Sequence, residues 1–299
     1  MSKQRTSFGG ITINTYNDIF LTARKKLRDA DIEAYDMESR LIVITASGKT
    51  KEQFMRDRHL YVTEVGFEND VEAMVRRRVA GEPIAYILSE WEFYGMPLTV
   101  SRDVLIPRVD TEVLVDVVVA LYKDNLNGTR VLDMCAGSGC IGLAIAANVP
   151  FCRVLLADKS QEALKICRAN TIRNNLTRSV TSIELDALEG PPMLMGLFDL
   201  IVCNPPYIPT GDIPGLDVSV RDFEPREALD GGEDGLQFYR GVSSKWKSVL
   251  KDDGRIVFEC GVGQAEGVRA ILEENGFTDI ATYKDSLNID RVVTGILNN

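Results

Sequence analysis

The chain has 299 residues, of which 45% are hydrophobic and 26% charged, a composition typical of a soluble globular protein with one large or two ordinary domains. No stretch approaches the roughly 18 apolar residues of a membrane span, and the first ten residues lack the apolar core of a signal peptide, so we expect a cytoplasmic protein without a membrane partner. The net charge of −10 argues against direct binding of free nucleic acid, which usually requires a basic stripe.

The N-terminal part predicts a small helical bundle. Apolar residues between Tyr16 and Ala30 recur with the i, i+3, i+4 spacing of a helix that buries one face. Thr50 and Gln53 have capping-box spacing and predict the start of a second helix. Another helix is predicted from about residue 69 to residue 80, where Gly81 ends the pattern.

After residue 85 the pattern changes. Aromatic and β-branched residues around Gly95 and Pro97 predict a hairpin or extended connector. Beyond Thr111, apolar runs alternate with helical segments, which predicts an α/β domain with a mostly parallel, doubly wound sheet. The predicted strands are 130–134, 153–157, 182–185, 200–203 and 255–259, and the predicted helices are 111–123, 140–148, 160–174, 236–250 and 264–275.

The end of the chain predicts an antiparallel edge to this sheet. Two short segments near 279–283 and 291–297 are joined by a polar turn, and they could pair with each other. The predicted boundaries are a helical domain at 1–85, a hairpin connector at 86–110 and an α/β domain at 111–299.

The six cysteines and the single histidine do not predict a metal site. No C-x-x-C pair occurs, and several cysteines lie inside apolar runs, where a reduced thiol behaves as a small hydrophobic group. We therefore expect reduced core cysteines and no metal ligands.

A glycine-rich turn follows the first strand of the α/β domain, in the stretch VLDMCAGSGCIGLAIA that begins at Val131. Gly137, Gly139 and Gly142 match G-x-G-x-x-G, and Asp158 follows 21 residues after Gly137. Glycines allow the backbone to approach a ligand closely, and the acidic residue can bind ribose hydroxyls. The pattern predicts an adenosine-containing cofactor, either NAD or S-adenosylmethionine; the alternative is a tight structural turn without a ligand.

Two features favour S-adenosylmethionine. Asp133 lies in the strand just before the loop, where a carboxylate would repel a pyrophosphate but not an ammonium or sulfonium group. The motif N-P-P-Y that starts at Asn204 has no obvious use in hydride transfer. Asp186 and Ala187 close the third strand, where they could bind the adenine through the carboxylate and the backbone N–H, or could form a plain turn.

The N-P-P-Y motif ends an apolar strand, because neither proline can donate to a ladder. A planar amide or aryl amine nitrogen is a poor nucleophile, so its N–H groups need acceptors that aim it at a methyl carbon. Asn204 Oδ1 and the backbone carbonyl of Pro205 could be those acceptors, and Tyr207 could supply a face for the planar group. The motif therefore predicts methyl transfer to such a nitrogen; the alternative is a simple strand terminator.

These motifs resemble those of the HemK-type protein-(glutamine-N5) methyltransferases, which modify peptide chain release factors. The resemblance covers nearly the whole chain and includes EFYG at Glu92, VLIPRVDTE from Val104, NPPYIP, DFEPREALDGGEDGLQFYR from Asp222 and DRVVTG from Asp290. One departure is visible: the family loop usually reads D-x-G-T-G-S-G, whereas this chain has Cys135 and Ala136 before Gly137.

The resemblance implies a class I methyltransferase with a helical N-terminal domain for substrate recognition. It implies methyl transfer from S-adenosylmethionine to N5 of the glutamine in the Gly-Gly-Gln motif of class-1 release factors. A ribosomal-protein glutamine or a DNA adenine is an alternative substrate, and an NAD-dependent oxidoreductase is a more distant alternative. The expected catalytic residues are Asn204, Pro205 and Tyr207, with Pro206 in substrate binding, and the expected cofactor-binding residues are Cys135, Ala136, Gly137, Ser138, Gly139, Asp158, Asp186, Ala187 and Asn204.

Two further segments are expected near the site. Arg108, Asp110 and Glu112 should lie where the connector meets the cofactor, with Glu112 at its charged end. The acidic, glycine-rich block 222–240 either forms an ordinary loop and helix start or frames the mouth of the active site.

Overall fold

The structure, a computed structural model, describes residues 7–8, 11–12 and 14–298. The chain divides into two compact units, Met1–Leu88 and Ser89–Asn299. The other residues of the predicted N-terminal domain, including most of the segment that lacks a signal-peptide core, lie outside the described residues, as does the last residue of the predicted α/β domain.

The first unit is mainly helical. Its helices are α1 (Tyr16–Asp29), α2 (Tyr35–Ser47), α3 (Lys51–Asp57), α4 (Phe67–Val79) and α5 (Ile84–Leu88), and its strands β1 (Ser7–Phe8) and β2 (Ile11–Thr12) pair antiparallel.

Capping boxes begin α1 and α3, and α1 and α2 each contribute fully buried apolar side chains. Thr50 begins α3 with the predicted capping box, in which its hydroxyl accepts from the backbone of Gln53 and the Gln53 side chain accepts from the backbone of Thr50. Leu27 of α1 and Ile42 of α2 are fully buried. The sequence prediction missed α2 and α5, because the N-cap residue of α2, Ala34, provides no side-chain cap and α5 crosses the predicted boundary between helical domain and connector.

The second unit begins with the predicted hairpin, β3 (Glu90–Phe93) and β4 (Met96–Thr99). Tyr94 and Gly95 form its two-residue turn, both with positive φ, as a type I′ turn requires. The hairpin is fixed to the α/β domain by Asn170, whose Oδ1 accepts from Thr99 N at 2.6 Å and whose Nδ2 donates to Thr99 O at 3.0 Å.

A seven-stranded sheet in the order β10-β11-β9-β8-β5-β6-β7 forms the centre of this unit. The pairs among β5 to β9 are parallel, and β11 is antiparallel to both β9 and β10, which confirms the predicted doubly wound sheet with an antiparallel edge. The strands are β5 (Thr129–Met134), β6 (Cys152–Asp158), β7 (Val180–Glu184), β8 (Phe198–Cys203), β9 (Leu250–Glu259), β10 (Phe277–Lys284) and β11 (Asp290–Leu297).

Helices cover both faces of this sheet. One hydrophobic cluster includes residues of α6, α7 and α8, and the other includes residues of α10 and α11. No helix in the described ranges is long and apolar enough to cross a membrane. The helices are α6 (Glu112–Tyr122), α7 (Cys140–Asn148), α8 (Gln161–Arg173), α9 (Val218–Arg221), α10 (Gln237–Lys245) and α11 (Ala265–Glu274).

One predicted boundary is wrong. The helix predicted over 236–250 ends at Lys245, and a short 3-10 turn leads to β9, which begins at Leu250 rather than at Arg255. The reason is the fully buried Trp246, whose indole N–H donates to the backbone oxygen of Ala187 at 2.9 Å and so ties this turn to the loop after β7.

The strand order places a topological switch point between β5 and β8, because the chain proceeds from β5 to β6 and β7 on one side and to β9 on the other. In open α/β sheets, ligands bind outside the carboxyl ends of the strands at such a point. The loops after β5, β6, β7 and β8 all start there, and the predicted cofactor and N-P-P-Y residues lie in these loops or, like Asp158, at the end of a strand.

Candidate active site

A cavity of about 530 Å³ opens at the carboxyl ends of the parallel strands. Of the residues singled out in the sequence, those that line it are Arg108, Cys135, Ala136, Gly137, Ser138, Asp158, Asp186, Ala187, Asn204 and Pro206. The structure thus brings together residues from the four loops.

Gly139 lies outside the wall of this cavity. It is the N-cap residue of α7 with φ +82°, and a Cβ added there would meet Leu156 Cδ1 at 3.0 Å and Cys167 Sγ at 3.4 Å. The third glycine of the pattern, Gly142, is packed more tightly still: a Cβ there would meet Val154 Cγ1 and an oxygen of Asp133 at 2.8 Å. Both glycines therefore serve helix–sheet packing.

The loop that faces the cavity is held by backbone and side-chain bonds from neighbouring elements. The N–H of Ala136 donates to Ala157 O at 3.0 Å, and the N–H of Gly137 donates to Asp158 Oδ2 at 2.8 Å. Cys135, which stands where the family usually has glycine, has φ +60°. The left-handed conformation is thus kept although this residue carries a Cβ, which costs about 1–2 kcal/mol.

Asp158 at the end of β6 accepts with both of its oxygens. Besides the bond from Gly137, Oδ1 accepts from Ser160 N at 2.8 Å. Burial raises the pKa of Asp158, and the backbone hydrogen bonds oppose that rise. Each carboxylate oxygen can accept a second hydrogen bond, so the side chain can still bind hydroxyl groups in the cavity.

The loop after β7 presents a second carboxylate. Asp186 pairs with Lys159 Nζ at 2.9 Å, and its Oδ1 accepts from Leu188 N at 2.8 Å. Burial raises its pKa, but the bonds from Lys159 and Leu188 outweigh that effect, and the pKa is lowered overall. An ionised acceptor therefore stands beside Ala187 in the cavity wall.

A smaller cavity of about 70 Å³ is also lined by Asn204. Pro205 and Tyr207, which the large cavity does not reach, line the small one, and Asn204 and Arg108 line both. Asn204 Nδ2 donates to Thr111 Oγ1 at 3.3 Å, whereas Asn204 Oδ1 is buried without a hydrogen-bond partner among the described residues. A buried acceptor in this state has the capacity to bind an N–H donor.

Gln264 holds the backbone after Asn204 and is itself held by Gly261. Gln264 Nε2 donates to Tyr207 O at 2.8 Å, and Gln264 Oε1 accepts from Gly261 N at 3.0 Å. Burial raises the pKa of Tyr207 to about 12, so the phenol stays protonated. The Gln264 side chain lies in the sequence ECGVGQ after β9, and nothing in its local pattern distinguished it.

The acidic, glycine-rich block runs beside the same backbone. Ile208 N donates to Leu229 O at 3.0 Å, and Gly231 N donates to Ile208 O at 2.8 Å. A Cβ at Gly231 would lie 2.7 Å from Tyr207 Cα. Of the two interpretations of this block, the structure therefore supports a wall of the site, since Glu227, Ala228 and Asp230 also line the large cavity.

In the segment from Arg108 to Glu112, the residues that line the cavity are not all those that we expected. Oε1 of Glu112 accepts from the backbone N–H of Tyr94 at 2.8 Å, so Glu112 holds the hairpin, and Thr111 lines the cavity instead. Arg108 pairs with Glu224, a buried residue of the acidic block that also accepts from Ile106 N at 3.3 Å.

Asp133 does not face the cavity either. It is 1% exposed, and its Oδ2 accepts from Gly142 N at 2.8 Å beneath α7. Burial raises its pKa to about 7, and the bond from Gly142 opposes this rise. Asp133 is therefore not placed to repel a pyrophosphate in the cavity, contrary to the expectation from the sequence.

Comparisons with known proteins agree with this architecture. Residues 18–88 match the family model "PrmC N-terminal domain", and residues 109–213 match "Methyltransferase small domain". The chain is 38% identical to the release factor glutamine methyltransferase of Clostridium acetobutylicum over 93% of this chain and 97% of that protein. It is 37% identical to the one of Caulobacter vibrioides, over 92% of this chain and 94% of that protein.

A solved structure shows the same fold. A methyltransferase from Pyrococcus furiosus superimposes with a TM-score of 0.51 at 15% identity, and the match covers 76% of this chain and 98% of that one.

Proposed function

Because the chain belongs to the family of release factor glutamine methyltransferases, we propose that it methylates N5 of the glutamine in the Gly-Gly-Gln motif of class-1 peptide chain release factors, with S-adenosylmethionine as the donor. One observation carries the proposal beyond family membership. Asn204 lines both the large and the small cavity, and its buried Oδ1 has no hydrogen-bond partner among the described residues. A carboxamide nitrogen, which carries N–H donors, is the complementary group.

The residues of the large cavity fit S-adenosylmethionine. Its volume of about 530 Å³ lies within the usual range for small-molecule sites, about 300–1,000 Å³. Gly137 has open space where a Cβ would stand, so a ligand can approach the backbone there. Asp158 can accept from ribose hydroxyls, and Asp186 with Ala187 can bind the adenine edge. When bound, S-adenosylmethionine supplies a methyl carbon activated by a sulfonium, so the protein need not activate the donor.

The remaining task of the protein is to hold an unreactive nitrogen. An amide lone pair is delocalised, and attack requires that the nitrogen approach the methyl carbon to about 3–3.5 Å in a fixed orientation. Asn204 Oδ1 accepts one N–H of the substrate amide in this proposal, and the Pro205 carbonyl accepts the other. Proline fixes φ, and Gln264 holds the Tyr207 carbonyl two residues later, so the acceptors change little in position.

These hydrogen bonds stabilise the transition state more than the ground state. As the bond to the methyl carbon forms, positive charge develops on the nitrogen, and its N–H groups become stronger donors to fixed oxygen acceptors. Tyr207, with Pro206, provides a surface for the planar amide. The protonated methylamide is a strong acid and loses its proton to water.

Mass spectrometry tests the proposal directly. Purified release factor is incubated with the protein and S-adenosylmethionine, and the Gly-Gly-Gln peptide is expected to gain the mass of one CH₂ on its glutamine, since a methyl group replaces one hydrogen. The Asn204→Ala variant serves as the control for the site. Methylation of DNA or of a ribosomal protein, with an unmodified Gly-Gly-Gln peptide, would contradict the proposed substrate.

A further inference from the structure

Glu259 is a buried carboxyl next to the predicted acceptor. It is the last residue of β9, and the parallel register that pairs Cys203 with Phe258 makes Asn204 and Glu259 the next residues on neighbouring strands. The side chain of Glu259 is 2% exposed, and Oε2 has no hydrogen-bond partner among the described residues. Such a carboxyl is costly to bury and requires an explanation.

The hydrogen-bond neighbours of this carboxyl are the side chains of Thr111 and Asn204. Asn204 Nδ2 also donates to Thr111 Oγ1 at 3.3 Å. The nitrogen of the carboxamide is thus directed towards acceptors, while its oxygen has no partner within the described part of the chain. An asparagine side chain can exchange these two atoms by a half turn about χ2, and only its neighbours determine which orientation is occupied.

An ionised carboxylate can only accept hydrogen bonds, so it favours the orientation in which Nδ2 faces it. We propose that Glu259 is a positioning residue, which acts through Asn204 and Thr111 and keeps Asn204 Oδ1 turned towards the substrate amide. This inference rests on the proposed function of Asn204 as an amide acceptor.

The charge state of Glu259 determines whether Asn204 is held in this one orientation. Burial raises its pKa to about 7, whereas Thr111, Arg291 and Asn204 lower it and Asp110 raises it. The other titratable groups that interact with it are Tyr207, Tyr239, Cys140 and Cys260, all with raised pKa values. Below about pH 7 the protonated carboxyl can also donate, and the preference for one orientation of Asn204 is lost.

The first experiment needs no substrate. In the 15N-labelled protein, the side-chain amide signal of Asn204, assigned by its absence from Asn204→Asp, is expected to shift with pH with a midpoint near 7. The same signal in Glu259→Gln should not titrate. A signal that is independent of pH in the unmodified protein would overturn the proposal, whatever the methyl acceptor proves to be.

The second experiment follows turnover. At saturating substrates, kcat of the unmodified protein should rise through about pH 7, and Glu259→Gln should lower kcat about tenfold and abolish this inflection. Glu273→Gln, at an exposed position of α11, is the matched control and should keep both. An unchanged kcat and inflection in Glu259→Gln would overturn the proposal, whereas failure of the unmodified protein to methylate the Gly-Gly-Gln glutamine contradicts only the proposed function.

Discussion

The backbone N–H of Gly137 donates to Oδ2 of Asp158 across 2.8 Å, and so joins the loop after β5 to the end of β6. The acidic residue of the glycine-loop pattern therefore has a structural function in addition to any contact with ribose. The loop and the carboxylate are fixed relative to each other before a cofactor binds. The loss of conformational entropy on binding is therefore smaller.

Asp158→Asn should weaken the binding of S-adenosylmethionine. In the wild-type carboxylate, one oxygen accepts from Gly137 N and the other from Ser160 N. The asparagine amide keeps one of these oxygens and puts an NH₂ donor in place of the other, so either Gly137 or Ser160 loses its acceptor. We expect the dissociation constant from calorimetry to rise about 10-fold or more, with a much smaller change in kcat at saturation. Asp116→Asn, on the exposed face of α6, should bind normally.

Asn204→Ala should abolish most turnover and leave cofactor binding nearly unchanged. The substitution removes the proposed acceptor for the substrate amide, and removal of one such group costs about 100-fold or more in kcat. Single-turnover methylation assays and calorimetry measure the two quantities separately. Asn127→Ala, in an exposed loop, is the control. Near-normal turnover in Asn204→Ala would show that the amide is held elsewhere.

Gly142→Ala and Gly137→Ala should change different properties of the protein: the first mainly its stability, the second also its affinity for the cofactor. A Cβ at position 142 would meet Leu156, Val154 and the Asp133 carboxylate in the core, so we expect a loss of about 1–3 kcal/mol or more in the free energy of unfolding. A Cβ at position 137 meets nothing within 4 Å, and the cost there is the strain of φ +55°, about 1–2 kcal/mol. That Cβ stands at the cavity wall, so cofactor affinity should fall in Gly137→Ala.

Urea denaturation and calorimetry on both variants test this difference. If Gly137→Ala binds S-adenosylmethionine as tightly as the unmodified protein, the cofactor does not approach the backbone at this turn.

Asp133→Asn should change the dependence of stability on pH. The folded-state pKa of Asp133 is raised to about 7, above its ordinary value of 3.8, so between these values the folded protein retains a proton that the unfolded chain releases. The free energy of unfolding therefore decreases as the pH rises from about 4 to 7. The variant lacks this contribution and should gain up to about 4 kcal/mol relative to the unmodified protein over that range.

Denaturation at pH 5 and pH 8 measures this difference. Asp124→Asn, at an exposed position, should follow the unmodified protein at both values. If the free energy of unfolding changes with pH by the same amount in Asp133→Asn and in the unmodified protein, the pKa of Asp133 is not raised.

The sheet could be predicted because its strands are short apolar runs that end at turn residues. Asp158 and Asn204 each stand just beyond or at the end of such a run, and the parallel arrangement brings them to one edge. The boundary between α10 and β9 could not be predicted. It depends on the burial of Trp246 against the loop after β7, which is a tertiary contact between residues 59 positions apart.

Thr111, Gln264 and Glu259 were missed for a related reason. Thr111 meets Asn204 across 93 positions of sequence, and Gln264 meets Tyr207 across 57. Glu259 ends an apolar strand, where a carboxylate resembles an ordinary solvent-facing residue. Only the register between β8 and β9 shows that it is buried beside Asn204.

The glycine contacts of the acidic block limit how the small cavity beside Asn204 can be enlarged. Gly231 and Gly235 both leave no room for a Cβ beside the Tyr207 main chain. Enlarging the small cavity by shifting that main chain would press it against these two positions, where no smaller residue exists. Enlargement of the small cavity is therefore open through Leu105 and Val220, which border it from segments outside the acidic block.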